Sequence, residues 1–564
     1  MEERIRKAVS EALANMGASD ISFAVERPSI AAHGDYATNA ALAAAKALGK
    51  KPHEIADEIA RFLIETLGKD TASHVSVAGP GFVNITLARE AVTLAVAEAD
   101  AQGSEWGRGV SNTGKRVAIE YSNPNPFKEI HIGHLMSNIV GEAVSRLIEA
   151  SGATVIRDTF GGDVGPHVAK GLWMLRKEGV TEIVNAKQIG EAYTRGSTAY
   201  EEGGEAKLEI DDLNTKIYDI VEHQEAVQSD KDRALLALWR GGREISMQEF
   251  RRIFAQLGTK FDYEFFDSDT TEVGKRVVQD GVSKGIFEKS DGAIIYPGEK
   301  KGLHTLVFIT SRGTPTYETK DVGLAFLKEE KIASDEVIIV TGAEQRGHFQ
   351  VFLAALSEIA PLVAAKMKHV AHGLLSLSTG KMSSRAGNVI TAAGLIEDII
   401  KKASEKNADP LIAEQVALGA IKYMILRQSP GSDIIFDEEK SLSLEGDSGP
   451  YLQYALVRAK SVLAAAAENL DKSDLSKNAP SSPYAIERVI LHFPEVAARA
   501  ARELAPNLLV NYLTELAGEW NSFYAQERIV GGDHEAHKLM LARAFVTTMT
   551  NGLTVLGIPT PERM

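Results

Sequence analysis

The stretch from Arg116 to Gly161 constrains the fold more than any other. VAIEYS (117–122) is a short apolar run of strand character, and it is followed by a loop holding two X-Pro steps, Asn-Pro-Asn-Pro at 123–126. A helical pattern then runs to Ser151, and ATVIRDTFG (153–161) reads as a second strand. Strand, helix, strand implies a parallel, doubly wound α/β sheet, with GPHVAKGLWMLRKEG (165–179) as the next helix. Ligands of such sheets bind beyond the carboxyl ends of the strands, so the turn after VAIEYS is where chemistry is expected.

Charged helical sequence at about 175–260, such as YEEGGEAKLEIDDLNTKIYDIVEHQE, interrupts this pattern and reads as an insertion. GAIIYPGE (292–299), HTLVFITS (304–311) and DEVIIVTGAEQ (335–345) are expected to bring the strands back. Upstream, residues 1–110 read as a small α/β unit. It has a helix at the start, a helix–Lys-Pro–helix stretch, and the turn Gly79-Pro80-Gly81 leading into a short strand. The Gly-rich AQGSEWGRGVSNTGKR (101–116) resembles a linker. From about Leu444 the pattern is all-helical. The expected domains are 1–110, 111–443 and 444–564, in line with a prior of about 150 residues per domain for a chain of 564.

A formal net charge of -15 disfavours a general polyanion binder while leaving room for a local basic surface. There are no cysteines, which excludes disulfides, thiolate nucleophiles and cysteine-ligated zinc. No run of 18 apolar residues and no secretory signal is evident, so a cytoplasmic protein without a membrane partner is the expectation.

His131-Ile132-Gly133-His134 stands where the loop turns into a helix. A helix start there would point backbone N–H groups and its positive end at a phosphate. Gly133, lacking a Cβ, would let a ring or phosphate approach the backbone. Two histidines three apart could donate to phosphate oxygens as charge builds. Read alone, they are equally ordinary polar residues at a helix start. A metal pair is the weaker alternative, since no third ligand stands near. About 250 residues later, Gly380-Lys381-Met382-Ser383-Ser384-Arg385 is a small, basic stretch that could bring Lys381 onto a polyphosphate.

The two stretches in this order resemble the HIGH and KMSKS signatures of class I aminoacyl-tRNA synthetases, and the whole chain resembles the arginyl-tRNA synthetase family. Gly34-Asp35-Tyr36-Ala37-Thr38-Asn39 and Gly79-Pro80-Gly81-Phe82-Val83-Asn84 are similar to that family's N-terminal domain. GPYLQYALVRAKSVL and the ending GLTVLGIPTPERM are similar to its helical anticodon-binding domain. The resemblance implies a Rossmann-like catalytic domain flanked by these two. It implies ATP-dependent attachment of arginine to tRNA(Arg) through arginyl-adenylate, with ATP as substrate, Mg2+ accompanying it, and no bound zinc or organic cofactor. A class I synthetase for another amino acid and a non-catalytic tRNA-binding paralogue stand as alternatives.

Residue by residue, the resemblance gives catalytic roles to His131, His134, Lys128 and Lys381, and ATP contacts to His131, Gly133, His134, Lys381, Met382 and Ser383. The loop has Ser384 where many class I enzymes have a second lysine, and Lys128 is expected to supply the missing cation. Thr316–Val322 offers Tyr317 and Asp321 four apart on one helix face. That spacing is usually a helix surface, but the family uses it for the guanidinium, a planar charge that a carboxylate can pair. Glu120, Asn125 and Gln345 match substrate-contact positions, and Gly342 and His348 are assigned to the ATP side. Phe82 and Asn84 are expected to stack and read a tRNA base. Arg458, Lys460, Arg499, Arg502, Arg528 and Arg543 are candidates for a basic face towards the anticodon stem. A monomer is expected.

Overall fold

The computed structural model describes residues 1–28, 30–378, 390–466 and 479–564. Its centre is a five-stranded parallel sheet. The strands are β1 (Arg116–Glu120), β2 (Thr154–Gly161), β3 (Tyr263–Phe266), β4 (Glu336–Gly342) and β5 (Met367–His372), in the order β5-β4-β1-β2-β3. All four neighbouring pairs are parallel. The chain order reverses between β1 and β4, so their carboxyl ends flank the crevice in which doubly wound folds bind ligands.

Helix α1 (Ile132–Ala150) connects β1 to β2. Its Val144 and Ile148 pack with Val117, Ile119, Ile338 and Val340. The alternate residues Ala118, Val337 and Ile339 face the opposite way, onto α3 (Tyr317–Lys331) and α4 (Arg346–Ile359). Strand alternation thus places α1 on one face of the sheet and α3 on the other. Helix and strand approach closely at Gly141, where a Cβ would come within 2.3 Å of Tyr121. Helix α2 (Asp267–Ser283) follows β3 directly.

One sequence expectation needs correction. Residues 288–309 do not rejoin the central sheet; Glu288–Ser290, Ala293–Tyr296 and Leu306–Ile309 form a separate three-stranded antiparallel sheet. Short connections between these strands permit hairpins, whereas rejoining a parallel sheet demands a long crossover. The central sheet instead gains β3 and β5, both partly exposed segments that carry weak apolar signals. The inserted sequence is helical, with helices at Ala186–Glu202, Gly204–Glu222 and Asp230–Gln256.

The N-terminal region holds a four-stranded sheet covered by helices around a core that includes Tyr36, Ile59, Leu63 and Ile85. The C-terminal helices Gly449–Ala465, Ala485–Leu491, Phe493–Glu503, Pro506–Gln526 and Glu535–Val555 share one core with α1, running from Leu135, Ile139 and Leu147 to Trp520 and Phe545. Among the described residues, no helix is long and apolar enough to cross a membrane.

Candidate active site

The loop between β1 and α1 is held under strain. Ser122, Asn123 and Phe127 have positive φ values of 74°, 51° and 67°, which non-glycine residues seldom adopt. Each is pinned through its backbone N–H: Ser122 donates to Ser137 Oγ at 3.0 Å, Asn123 to Thr159 Oγ1 at 3.2 Å and Phe127 to Ser246 Oγ at 3.1 Å. This loop delivers the chain to His131, the N-cap of α1.

A cavity of about 690 Å³ opens at the carboxyl ends of β1 and β4. Glu120, Asn125, His131, Gly133, His134, Tyr317, Asp321, Gln345, Gly342 and His348 all line it, as does Asp267. The ten of these marked in the sequence, spread over more than 220 positions, therefore meet in one crevice. Phe82, Asn84 and Lys128 do not line it.

The histidine pair is organised differently from the sequence reading. The rings stack with centroids 3.8 Å apart. His131 Nδ1 accepts from the Gly133 N–H at 3.0 Å, and His134 Nδ1 accepts from the His131 N–H at 3.4 Å. The Ile132 N–H is also occupied, by the Ile390 carbonyl at 3.2 Å. The first backbone donors of the helix are thus taken within the protein and are not open to a phosphate. Gly133 serves this cap: a Cβ there would lie 2.9 Å from His131 Cε1. Because both Nδ1 atoms accept, the ring protons reside on Nε2, and each ring can still donate from that atom. Burial lowers the pKa of His131, with Lys128 adding to it, and burial lowers that of His134 well below the usual range. Both rings are therefore neutral donors near pH 7. Lys128 carries its ammonium 5.0 Å from the ring centroid of Tyr193, on the inserted helix Ala186–Glu202.

Lys381, Met382 and Ser383 lie outside the described residues. Leu375 and Ile390, on either side of that stretch, both line the cavity. Ala392 N–H donates to the Ile130 carbonyl at 2.8 Å, so the returning chain is bonded to the residues that lead into α1.

The acidic groups arrive from β1 and from the α2 and α3 side. Glu120 is buried; Oε1 accepts from Asn123 Nδ2 at 2.8 Å and Oε2 from Lys328 Nζ at 2.6 Å. Lys328 also meets Asp158 at 2.6 Å, and burial pushes Asp158 up to about 6 despite that lysine. Asn125 Oδ1 accepts from Gly162 N–H at 2.8 Å, which leaves its amide NH2 to donate. Tyr317 is exposed at the first turn of α3. Asp321 accepts at Oδ2 from His348 Nε2 at 2.5 Å, so His348 meets Asp321 within the cavity. Gln345 sits exposed in the turn Ala343–Gln345.

Sequence reasoning missed Asp267. It is buried, lines the cavity, and is held by Lys320 Nζ at 2.6 Å. Burial raises its pKa to about 6, with Lys320 opposing and Asp321 among the carboxylates that add to the rise. The signal was FDYEFFDSD, a carboxylate at a strand end, in a strand that went unread.

The other positions lie elsewhere. Phe82 is 37% exposed on the strand Phe82–Leu87, while Asn84, at 9%, is nearly covered between its neighbouring strands. The C-terminal basic residues have intramolecular partners. Lys460 pairs with Glu562 at 2.7 Å, Arg499 with Glu503 at 2.8 Å, Arg543 with Asp100 at 2.9 Å and Arg502 with Glu503 at 3.8 Å. Arg458 lies 3.8 Å from the Tyr524 ring centroid, and Arg528 donates to the Val530 carbonyl at 3.2 Å.

With this geometry in view, comparison with known proteins is decisive. Residues 96–438, more than half of the chain, match the family model "tRNA synthetases class I (R), catalytic domain". The chain belongs to the arginyl-tRNA synthetase family. Residues 3–87 match the family's N-terminal domain and residues 452–564 the DALR anticodon binding domain. The arginine–tRNA ligase of Flavobacterium psychrophilum is 30% identical over 91% of this chain and 90% of its own length. That of Halothermothrix orenii is 28% identical over 100% and 99%. The arginyl-tRNA synthetase of Thermus thermophilus superimposes with a TM-score of 0.79 at 25% identity, covering 100% of both chains.

Proposed function

We propose that this chain is an arginine–tRNA ligase, converting L-arginine, ATP and tRNA(Arg) to arginyl-tRNA, AMP and diphosphate through arginyl-adenylate. The observation that carries the reading is one cavity gathering a buried carboxylate, Asp267, and a partly buried one, Asp321, with a stacked neutral histidine pair. A guanidinium donates charged hydrogen bonds to carboxylates, and Tyr317 can pack on its plane. Lysine, with a compact ammonium, would leave part of that acceptor set unpaired and is rejected for that reason.

Asn125 donates to the arginine carboxylate, and Glu120, held by Lys328, meets the α-ammonium. Gln345 completes the rim. The arginine carboxylate attacks the α-phosphorus of ATP and expels pyrophosphate. His131 and His134 donate from Nε2 to phosphate oxygens as charge develops there, a stabilisation that favours the transition state over the bound substrate. Lys128 and Lys381 supply cations to the polyphosphate, Gly133, Met382 and Ser383 complete the nucleotide contacts, and magnesium travels with ATP. The terminal 2′-hydroxyl of the tRNA then takes the arginyl group, with Phe82 and Asn84 on the tRNA side of the N-terminal domain. The enzyme is read as a cytoplasmic monomer, the domains as 1–110, 111–443 and 444–564.

The test is aminoacylation of total tRNA with each amino acid in turn. Charging by arginine alone supports the reading. Charging by another amino acid, or by none, overturns it.

A further inference from the structure

We propose that His348 is a positioning residue for arginine binding: its ring stands between Asp321 and Glu318 as a fixed cation that keeps the Asp321 carboxylate ionised and oriented in the cavity. This rests on the reading of Asp321 as the guanidinium acceptor.

The geometry itself sets the charge. Nε2 lies 2.5 Å from Asp321 Oδ2 and Nδ1 lies 3.3 Å from Glu318 Oε1. A neutral imidazole has one donor and one acceptor nitrogen, so only the imidazolium can satisfy two carboxylates at once. The ring is fixed in place by Phe352, nearly parallel at 6° with centroids 6.4 Å apart, and by Phe349 edge-on at 5.1 Å. Burial works against the charge, but the two carboxylates outweigh it and raise the His348 pKa to about 10. The charged and titratable groups acting on His348 are Asp321 and Glu318 on α3, with His369 on β5 beside it, while Glu120 on β1 and Asp267 on α2 face Asp321.

Asp321 already has its pKa raised, by burial first and by Glu120 and Glu318 after it, with His348 opposing. Without the imidazolium, two partly buried carboxylates one helix turn apart face each other unscreened, and their repulsion pushes one of them towards its protonated form. A protonated Asp321 is a poor partner for a guanidinium. With the imidazolium, Asp321 Oδ2 is spoken for and Oδ1 is left for the ligand, so His348 also fixes the carboxylate's rotation.

Steady-state aminoacylation of tRNA(Arg) by the full chain tests this, with the arginine KM followed from about pH 6.5 to 9 to span that protonation. In His348→Gln the arginine KM should rise about tenfold or more near pH 7 and fall back towards the parent value at high pH as Asp321 ionises. The parent profile should stay flat, and the KM for ATP should be unchanged. Adding Glu318→Gln to His348→Gln should recover part of the loss, because it removes the repulsion; losses that simply add indicate a structural role and overturn the proposal. An unchanged arginine KM with a flat profile overturns it too, as does a lowered KM, which would make the imidazolium a competitor of arginine. His348→Asn, also neutral, carries the same expectations if the glutamine variant melts early. Asp321→Asn separates the two levels. If it leaves the arginine KM unchanged, the reading of Asp321 fails. If it raises the KM while His348→Gln does not, only the role of His348 fails.

Discussion

Gly323→Ala should damage arginine recognition although the residue touches no substrate. Helices α2 and α3 meet backbone to backbone: a Cβ on Gly323 would lie 2.1 Å from the Thr270 carbonyl oxygen, and one on Gly274 would lie 2.0 Å from that of Thr319. Ordinary contact begins at 3.4 Å, so the alanine must drive the helices apart by on the order of 1 Å. Asp267 opens α2 and Asp321 is two residues from Gly323, so the same displacement separates the two carboxylates. A misplacement of about 1 Å can cost on the order of a hundredfold in rate, so kcat/KM for arginine should fall roughly 10- to 100-fold, while the KM for ATP stays within about twofold. Overpacking costs about 1–3 kcal/mol, whereas alanine at an unconstrained helix position gains about 1 kcal/mol over glycine. The two effects have opposite signs, and a thermal melt alongside the kinetics reads which one wins. A variant that melts at or above the parent temperature and keeps its arginine KM would refute the close contact and its role.

Asp321→Asn removes a partly buried charge at constant size; losing one partner of a pair that arginine would desolvate costs about 2–5 kcal/mol, or roughly thirtyfold to several-thousandfold in kcat/KM for arginine, with ATP affinity little changed. Lys128→Ala should slow adenylate formation about 10- to 1,000-fold, as loss of a transition-state donor does, with little change in the arginine KM. Single-turnover measurements would show it, and Ser384→Lys should restore part of the rate. Glu487→Gln should lower the melting temperature by removing the counter-ion that Arg89 and His537 reach at 2.9 and 2.8 Å, a loss of about 3–5 kcal/mol for a buried pair. Burial works against the Glu487 charge but its partners outweigh it and lower the pKa, so its contribution is present above the usual carboxylate pKa and lost as pH falls through the depressed one. The variant should therefore lose less stability than the parent on acidification, as melts at two pH values would reveal.

What could be read from the sequence was what lies close along the chain. β1, the Asn-Pro loop and the helix start at His131 are consecutive, so periodicity and turn residues expose them, whereas Tyr317 and Asp321, one helix turn apart, stood out only through the family resemblance, that spacing alone being usual on a helix surface. Asp267 was missed because β3 is only four residues long and follows a helical insertion, leaving too little alternation to detect. The His348 clamp joins two helices, α3 and α4, and its Asp321 partner stands 27 positions away; nothing local marks it. The C-terminal arginines and lysines looked available because their partners are partly distant: Asp100 is 443 positions from Arg543 and Glu562 is 102 from Lys460. Composition counts charges but cannot tell a free cation from one already paired.

The same non-local pairing explains why the helix that begins at His131 is so well fixed. Only its first two turns reach the cavity. Further along, Glu142 accepts from Tyr121 Oη at 2.5 Å, Arg146 Nε at 2.7 Å and Arg157 Nε at 3.1 Å, tying α1 to the sheet. Arg146 also donates to the carbonyls of Thr554 and Gly258, each at 3.0 Å, at the ends of the last C-terminal helix and the last inserted helix. Lys422 spans the same two ends, donating to Leu257 at 2.7 Å and to Gly557. Those carbonyls stand at or just beyond helix ends, where backbone acceptors fall outside the regular helical ladder, and cations are natural groups to meet them. Packing and polar contacts agree, since α1 and the C-terminal bundle already share one apolar core. The histidine pair is therefore positioned by three parts of the chain at once: the sheet through Glu142, the insertion through Gly258, and the C-terminal helices through Thr554. A rotation of α1 that moved His131 would have to break contacts to all three.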